Sequence, residues 1–145
     1  MKFDRLVNLL LTESEPKVLK LEFDEFAPKN YTGAVEWPNG SKWWYLNGQI
    51  HREDGPAIEG ADGTKYWYLN DQTHREDGPA IEYSDGSKEW YLNGQRHRED
   101  GPAVEYLNGT KEWWLNGREV TEEEINQRKK LKKLGGVDFD GILDI

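Results

Sequence analysis

The chain has 145 residues, room for one domain with a modest core, and carries 28 acidic against 19 basic residues, a formal net charge of −9. That balance argues against a general nucleic-acid binder and against purely electrostatic attachment to anionic lipid, both of which need a basic face. With no cysteine, a disulfide framework, thiolate chemistry and cysteine zinc sites are excluded.

The chain begins with a predicted amphipathic helix over residues 2–12, its apolar side formed by Phe3, Leu6, Val7, Leu10 and Leu11. Lys17 to Phe23 alternates like a strand, so residues 1–27 read as an N-terminal helix and strand cap. The opening residues lack the pattern of a signal peptide and the sequence has no bilayer-length apolar stretch; the expectation is a soluble, cytoplasmic protein with no membrane contact.

Residues 28–119 are a repeat array. HREDGPA recurs at 51–57, 74–80 and 97–103, always 23 residues apart, and a worn unit without HRED occupies 28–50. The period aligns Trp44, Trp67, Trp90 and Trp113 in one column. Val35, Ile58, Ile81 and Val104 form a second, and Lys42, Lys65, Lys88 and Lys111 a third. Such a period marks stacked units that bury a core only through their neighbours.

Each unit reads as a hairpin. Pro-Ala-Ile-Glu-Tyr is one strand, Asp-Gly a turn, Lys-Glu-Trp-Tyr-Leu the return strand, and Asn-Gly a second turn before the HRED corner. A two-residue turn at Asp85-Gly86 sets Tyr83 against Lys88 and Ile81 against Trp90, placing the aliphatic and Trp columns together in the core. It also opposes Glu82 to Glu89. A three-residue turn with a bulge pairs Glu82 with Lys88 instead and sends Ile81 and Trp90 to opposite faces. The two-residue register is the expected one, which leaves Tyr45, Tyr68, Tyr91 and Trp114 on the exposed or half-exposed face.

Residues 120–145 predict a C-terminal helix and an acidic tail. Thr121 with Glu124 forms a capping box, Val120 can staple to Ile125, the basic run 128–133 suits the helix's C-terminal end, and Gly135-Gly136 stops it.

Three histidines, His51, His74 and His97, recur with the unit. Equivalent residues of stacked hairpins stand about 10 Å apart, too far to share a metal, so they read as structural. Arg, Glu and Asp of HRED form charge ladders, and residues 51–119 hold 15 acidic against 8 basic residues. Phosphate loops, nucleophile elbows and Ser-His-Asp arrangements are missing, and carboxylates occur only as repeat members; neither an enzyme nor a cofactor is expected.

The run Asn93-Gly94-Gln95-Arg96-His97, with Ser84-Asp85-Gly86-Ser87-Lys88 before it, resembles the membrane occupation and recognition nexus (MORN) repeat. Trp90-Tyr91-Leu92-Asn93-Gly94 is similar to the WYxNG core of its bacterial antitoxin-like variant. The resemblance covers residues 33–119 and implies an elongated, twisted array of hairpins that scaffolds protein contacts and can self-associate. Lys42-Trp43-Trp44-Tyr45-Leu46-Asn47 also resembles choline- and glucan-binding wall repeats, which implies sugar or choline-like groups stacked on aromatics.

The expected fold is therefore all-β, an elongated solenoid of about four 23-residue hairpin units with short helical caps at both ends. The expected function is a non-catalytic protein–protein interaction module. Its contact surface is the column Tyr45, Tyr68, Tyr91 and Trp114, bordered by Glu82, Asp100 and Glu105. Its partner is a protein, of the basic or nucleic-acid-handling kind, with the acidic array standing in for phosphate as in a small viral or mobile-element inhibitor or antitoxin. The alternative is a repeat that binds small ligands on its aromatic column.

Overall fold

The structure is a computed structural model that describes residues 18–22 and 25–135. The helix expected over residues 2–12 and the acidic tail lie outside the described residues.

The described residues form fifteen strands, two or three from each unit lying in one open sheet. These are β1 (Val18–Lys20), β2 (Gly33–Glu36), β3 (Lys42–Leu46), β4 (Gln49–Ile50), β5 (Ile58–Glu59), β6 (Lys65–Tyr66), β7 (Tyr68–Leu69), β8 (Gln72–Thr73), β9 (Ile81–Glu82), β10 (Lys88–Glu89), β11 (Tyr91–Leu92), β12 (Gln95–Arg96), β13 (Val104–Glu105), β14 (Lys111–Leu115) and β15 (Arg118–Val120), followed by helix α1 (Glu122–Lys133). The main sheet runs β1-β2-β3-β5-β6-β9-β10-β13-β14-β15, with β4 on β3, while β7-β8 and β11-β12 form separate two-stranded ribbons. β1 pairs parallel with β2, and the other pairs are antiparallel. The molecule is an all-β meander of hairpins with a C-terminal helical cap.

The register is the three-residue one, which corrects the expectation from sequence. Lys88 pairs with Glu82 and Glu89 with Ile81. The reason lies in the turn: the Asp85 carboxylate accepts the Ser87 N–H at 2.8 Å, Gly86 sits at φ +94°, and Tyr83 N–H donates to the Ser87 carbonyl. Asn39, Asp62 and Asn108 cap their turns in the same way. This register also removes the Glu82–Glu89 opposition. Across the whole sheet it lines up Glu36, Lys42, Glu59, Lys65, Glu82, Lys88, Glu105 and Lys111, each opposite a residue of the other sign.

The faces change accordingly. Val35, Ile58, Ile81 and Val104 alternate along a row with Trp43, Tyr66, Glu89 and Glu112, and not with the Trp44 column. The Trp44 column shares the opposite face with Ala34, Ala57, Ala80 and Ala103, all buried. Each second turn is a two-residue reversal with both φ angles positive, Asn-Gly in three units, such as Asn93 at +50° and Gly94 at +79°, and Asn70-Asp71 in the other.

Repeated polar contacts hold the array together. Within each unit the histidine, His51, His74 or His97, accepts at Nδ1 the backbone N–H of the asparagine at its second turn (Asn70, Asn93 or Asn116) at 2.9–3.0 Å. The buried hydroxyls of Thr64 and Ser87 accept the N–H groups of Ser84 and Leu107 one unit on. The array ends where HRED gives way to Val120 and the helix: Leu115, Val120 and Ile125 form a closing cluster against Trp113. Thr121 caps α1 by accepting the Glu124 N–H, and the helix ends at Leu134.

Candidate partner-binding site

At each HRED corner the arginine folds inward. Arg52, Arg75 and Arg98 lie over the rings of Trp44, Trp67 and Trp90 at 3.9–4.0 Å, eight residues back in the chain. Each guanidinium also donates to its own corner's aspartate at 2.9–3.0 Å and to a proline carbonyl, at Pro56, Pro79 or Pro102. The corner glycine makes room for it: a Cβ at Gly101 would stand 2.9 Å from the Arg98 guanidinium carbon. Arg52, by its hydrogen bond and its charge, holds the Asp54 carboxyl below its ordinary range.

With the arginine turned inward, the acids face out. Side chains of Glu53, Asp54, Glu76 and Asp77 are 84–86% exposed. Between successive corners lie two equivalent clefts of about 640 and 630 Å³. The first is floored by Trp67 and Leu69 and rimmed by the corners at 52–55 and 74–77; the second has Trp90 and Leu92 as its floor.

Helix α1 meets the far end of this strip. Arg128, Lys129 and Lys132 share a small cavity with Glu99 and Asp100, and Lys132 also reaches the second cleft. Glu99 is accordingly less exposed, at 60%, than its counterparts Glu53 and Glu76.

The residues singled out from sequence divide between two surfaces. Asp100 lies on the corner strip, held by Arg98. Glu82 and Glu105 sit in the charge ladder within 3.3 and 3.5 Å of Arg75 and Arg98. Tyr45, Tyr68, Tyr91 and Trp114 are half-buried on the other side, where Tyr45 packs against Leu19, Leu21 and Val35. Tyr91 and Trp114 spend their polar atoms inside the array, donating to Glu89 and Glu112 at 2.8 and 3.0 Å.

Glu89 is the centre of a network that sequence reasoning missed. It is buried, and accepts from the Tyr83 hydroxyl at 2.9 Å, the Tyr91 hydroxyl at 2.8 Å and Arg96 Nε at 3.1 Å. Burial first, then the bond to Glu89, pushes the Tyr83 and Tyr91 hydroxyls above the ordinary tyrosine range. The available signal was a column substitution: glutamate at 89 and 112 where Trp43 and Tyr66 stand in earlier units, with Arg96 entering the chain alongside.

Comparison with known protein families finds no family model that matches the chain, and comparison with curated proteins finds no match either. Among the described residues, no helix is long and apolar enough to cross a membrane.

Proposed function

We propose that the chain is a non-catalytic, cytoplasmic protein–protein interaction module that offers its acidic corner strip to a basic protein partner. One observation carries this reading: the corner arginines are consumed internally while Glu53, Asp54, Glu76 and Asp77 project outward beside indole-floored clefts. Rigid, evenly spaced apolar floors supply contact area at low entropic cost, and the flanking charge selects the partner. The resemblance to MORN repeats supports the same role, that of a scaffold for protein contacts. The partner's basic character fits a nucleic-acid-handling protein, with the strip taking the place of phosphate. On this reading the apolar anchors are Trp67, Leu69, Trp90 and Leu92, and the Tyr45 column braces the array from behind.

The test is capture of basic proteins by the immobilised chain at low and high salt, beside the variant Glu53→Lys/Glu76→Lys. That variant spares Asp54 and Asp77, which hold their arginines. Partners retained at low salt, released at high salt and lost with the variant are the expected result. Retention on choline or glucan resin that the variant does not alter would transfer the function to small-ligand binding.

A further inference from the structure

We infer that the element this strip receives is a partner helix whose basic residues recur every seven positions, an inference that rests on the reading of the strip as a protein-binding surface. The chain itself provides the template. Helix α1 starts at the end of the array, where Ile125 packs on Leu115 and Val120, and carries Arg128 and Lys129 to the corner of Glu99 and Asp100. Four residues after Arg128, about 6 Å along a helix axis, Lys132 lines the same cavity and also the cleft beside that corner. The chain's own helix thus sets three basic side chains against the last corner and one of them into the cleft beside it. It covers one end. The cleft between the corners at 52–55 and 74–77 has no lining residue from α1.

The geometry of that cleft selects a helix by its period. Each of the two middle units contributes two strands to the main sheet, so successive corners are about 9.6 Å apart. Seven residues of helix rise about 10.5 Å and return to the same face within about 20°. A basic pair repeated at seven residues therefore meets corner after corner, whereas a five-residue spacing rotates each following pair off the strip. Between the corners the indole of Trp67 and the side chain of Leu69 offer an apolar seat for the aliphatic stems of lysine or arginine. Charge excludes other strips of this surface: the Glu–Lys ladder alternates in sign and selects neither kind of helix.

The experiment uses the full chain and two fluorescent synthetic helices of equal composition, one with Lys-Arg pairs every seven residues and one every five, titrated by anisotropy at low salt. Circular dichroism verifies equal helicity. The expected result is at least tenfold tighter binding of the seven-residue peptide, lost in Glu53→Lys/Glu76→Lys and retained or improved in Lys132→Glu. Equal binding of the two peptides, still abolished by the corner variant, overturns the helix-period inference and leaves the acidic module standing. Binding of neither peptide also overturns it, and the capture experiment then decides the module separately. Concentration-dependent dimerisation of the chain alone, abolished by Lys132→Glu, assigns the strip to α1 of a second copy and overturns the foreign partner.

Discussion

Replacing Glu89 with alanine tests whether the polar network is a structural element of the array. The substitution removes the acceptor of three hydrogen bonds from Tyr83, Tyr91 and Arg96 in a site whose central carboxylate side chain is 8% exposed. Each hydroxyl bond is worth about 1 kcal/mol net. Stranding a fully buried partner charge costs about 3–5 kcal/mol, but Arg96 is 30% exposed and keeps Glu112 at 3.9 Å, so its share falls to about 1 kcal/mol. The sum is a loss of about 3 kcal/mol. With a urea slope of about 1.5 kcal/mol/M, the unfolding midpoint drops by about 2 M. Tryptophan fluorescence and far-ultraviolet circular dichroism should report the same midpoint, and Glu119→Ala on the exposed side of β15 serves as the control, with a change within about 0.5 kcal/mol. A loss under 1 kcal/mol at unchanged slope would refute the reasoning, because the three bonds would then have been exchanged for water at no cost.

Three further predictions concern the joints and the titration. Gly101→Ala drives a methyl group against the Arg98 guanidinium and lifts it from Trp90; thermal unfolding should show a loss of about 1–2 kcal/mol. Arg98→Ala in the Gly101→Ala background should add less than it does alone, since both act on one contact. His74→Ala frees the Asn93 N–H at an exposed turn where water can replace the imidazole, so the loss measured by urea unfolding should stay near 1 kcal/mol. Tyrosine absorbance should reveal hydroxyls that ionise later than free tyrosine. Their folded pKa is raised, so the stability they supply is complete below about pH 10 and is lost as pH rises above it. Glu89→Gln should bring both titrations back down.

Much of this architecture was legible in the residues. The 23-residue period, the Asn-Gly reversals and the helix start at Thr121 are local signals, each encoded within a few neighbouring side chains. The hairpin register was not, because apolar alternation favoured one pairing and the winning pairing depends on an aspartate bonding two residues ahead and on a charge ladder spanning every unit. Arginine–indole stacking was in reach, since Arg52, Arg75 and Arg98 each follow a Trp by eight residues. The clefts were not: they exist only between units, where side chains 20 or more residues apart meet. The indoles that floor the clefts belong to the Trp44 column, which a two-residue register packs with the aliphatic column and the observed register sets on the opposite face from it.

The histidine joints carry a consequence for how this molecule can vary. Each is built from the same imidazole nitrogen and the same asparagine N–H and closes within one 23-residue unit, so each whole unit carries its own joint and is interchangeable with the others. Excising residues 51–73 would bring His74 to the position that His51 now holds, with its asparagine partner already in place. The chain is in this sense a ruler with a fixed graduation: it can be cut or spliced only in whole divisions, and the helix at its end travels unchanged with the final mark.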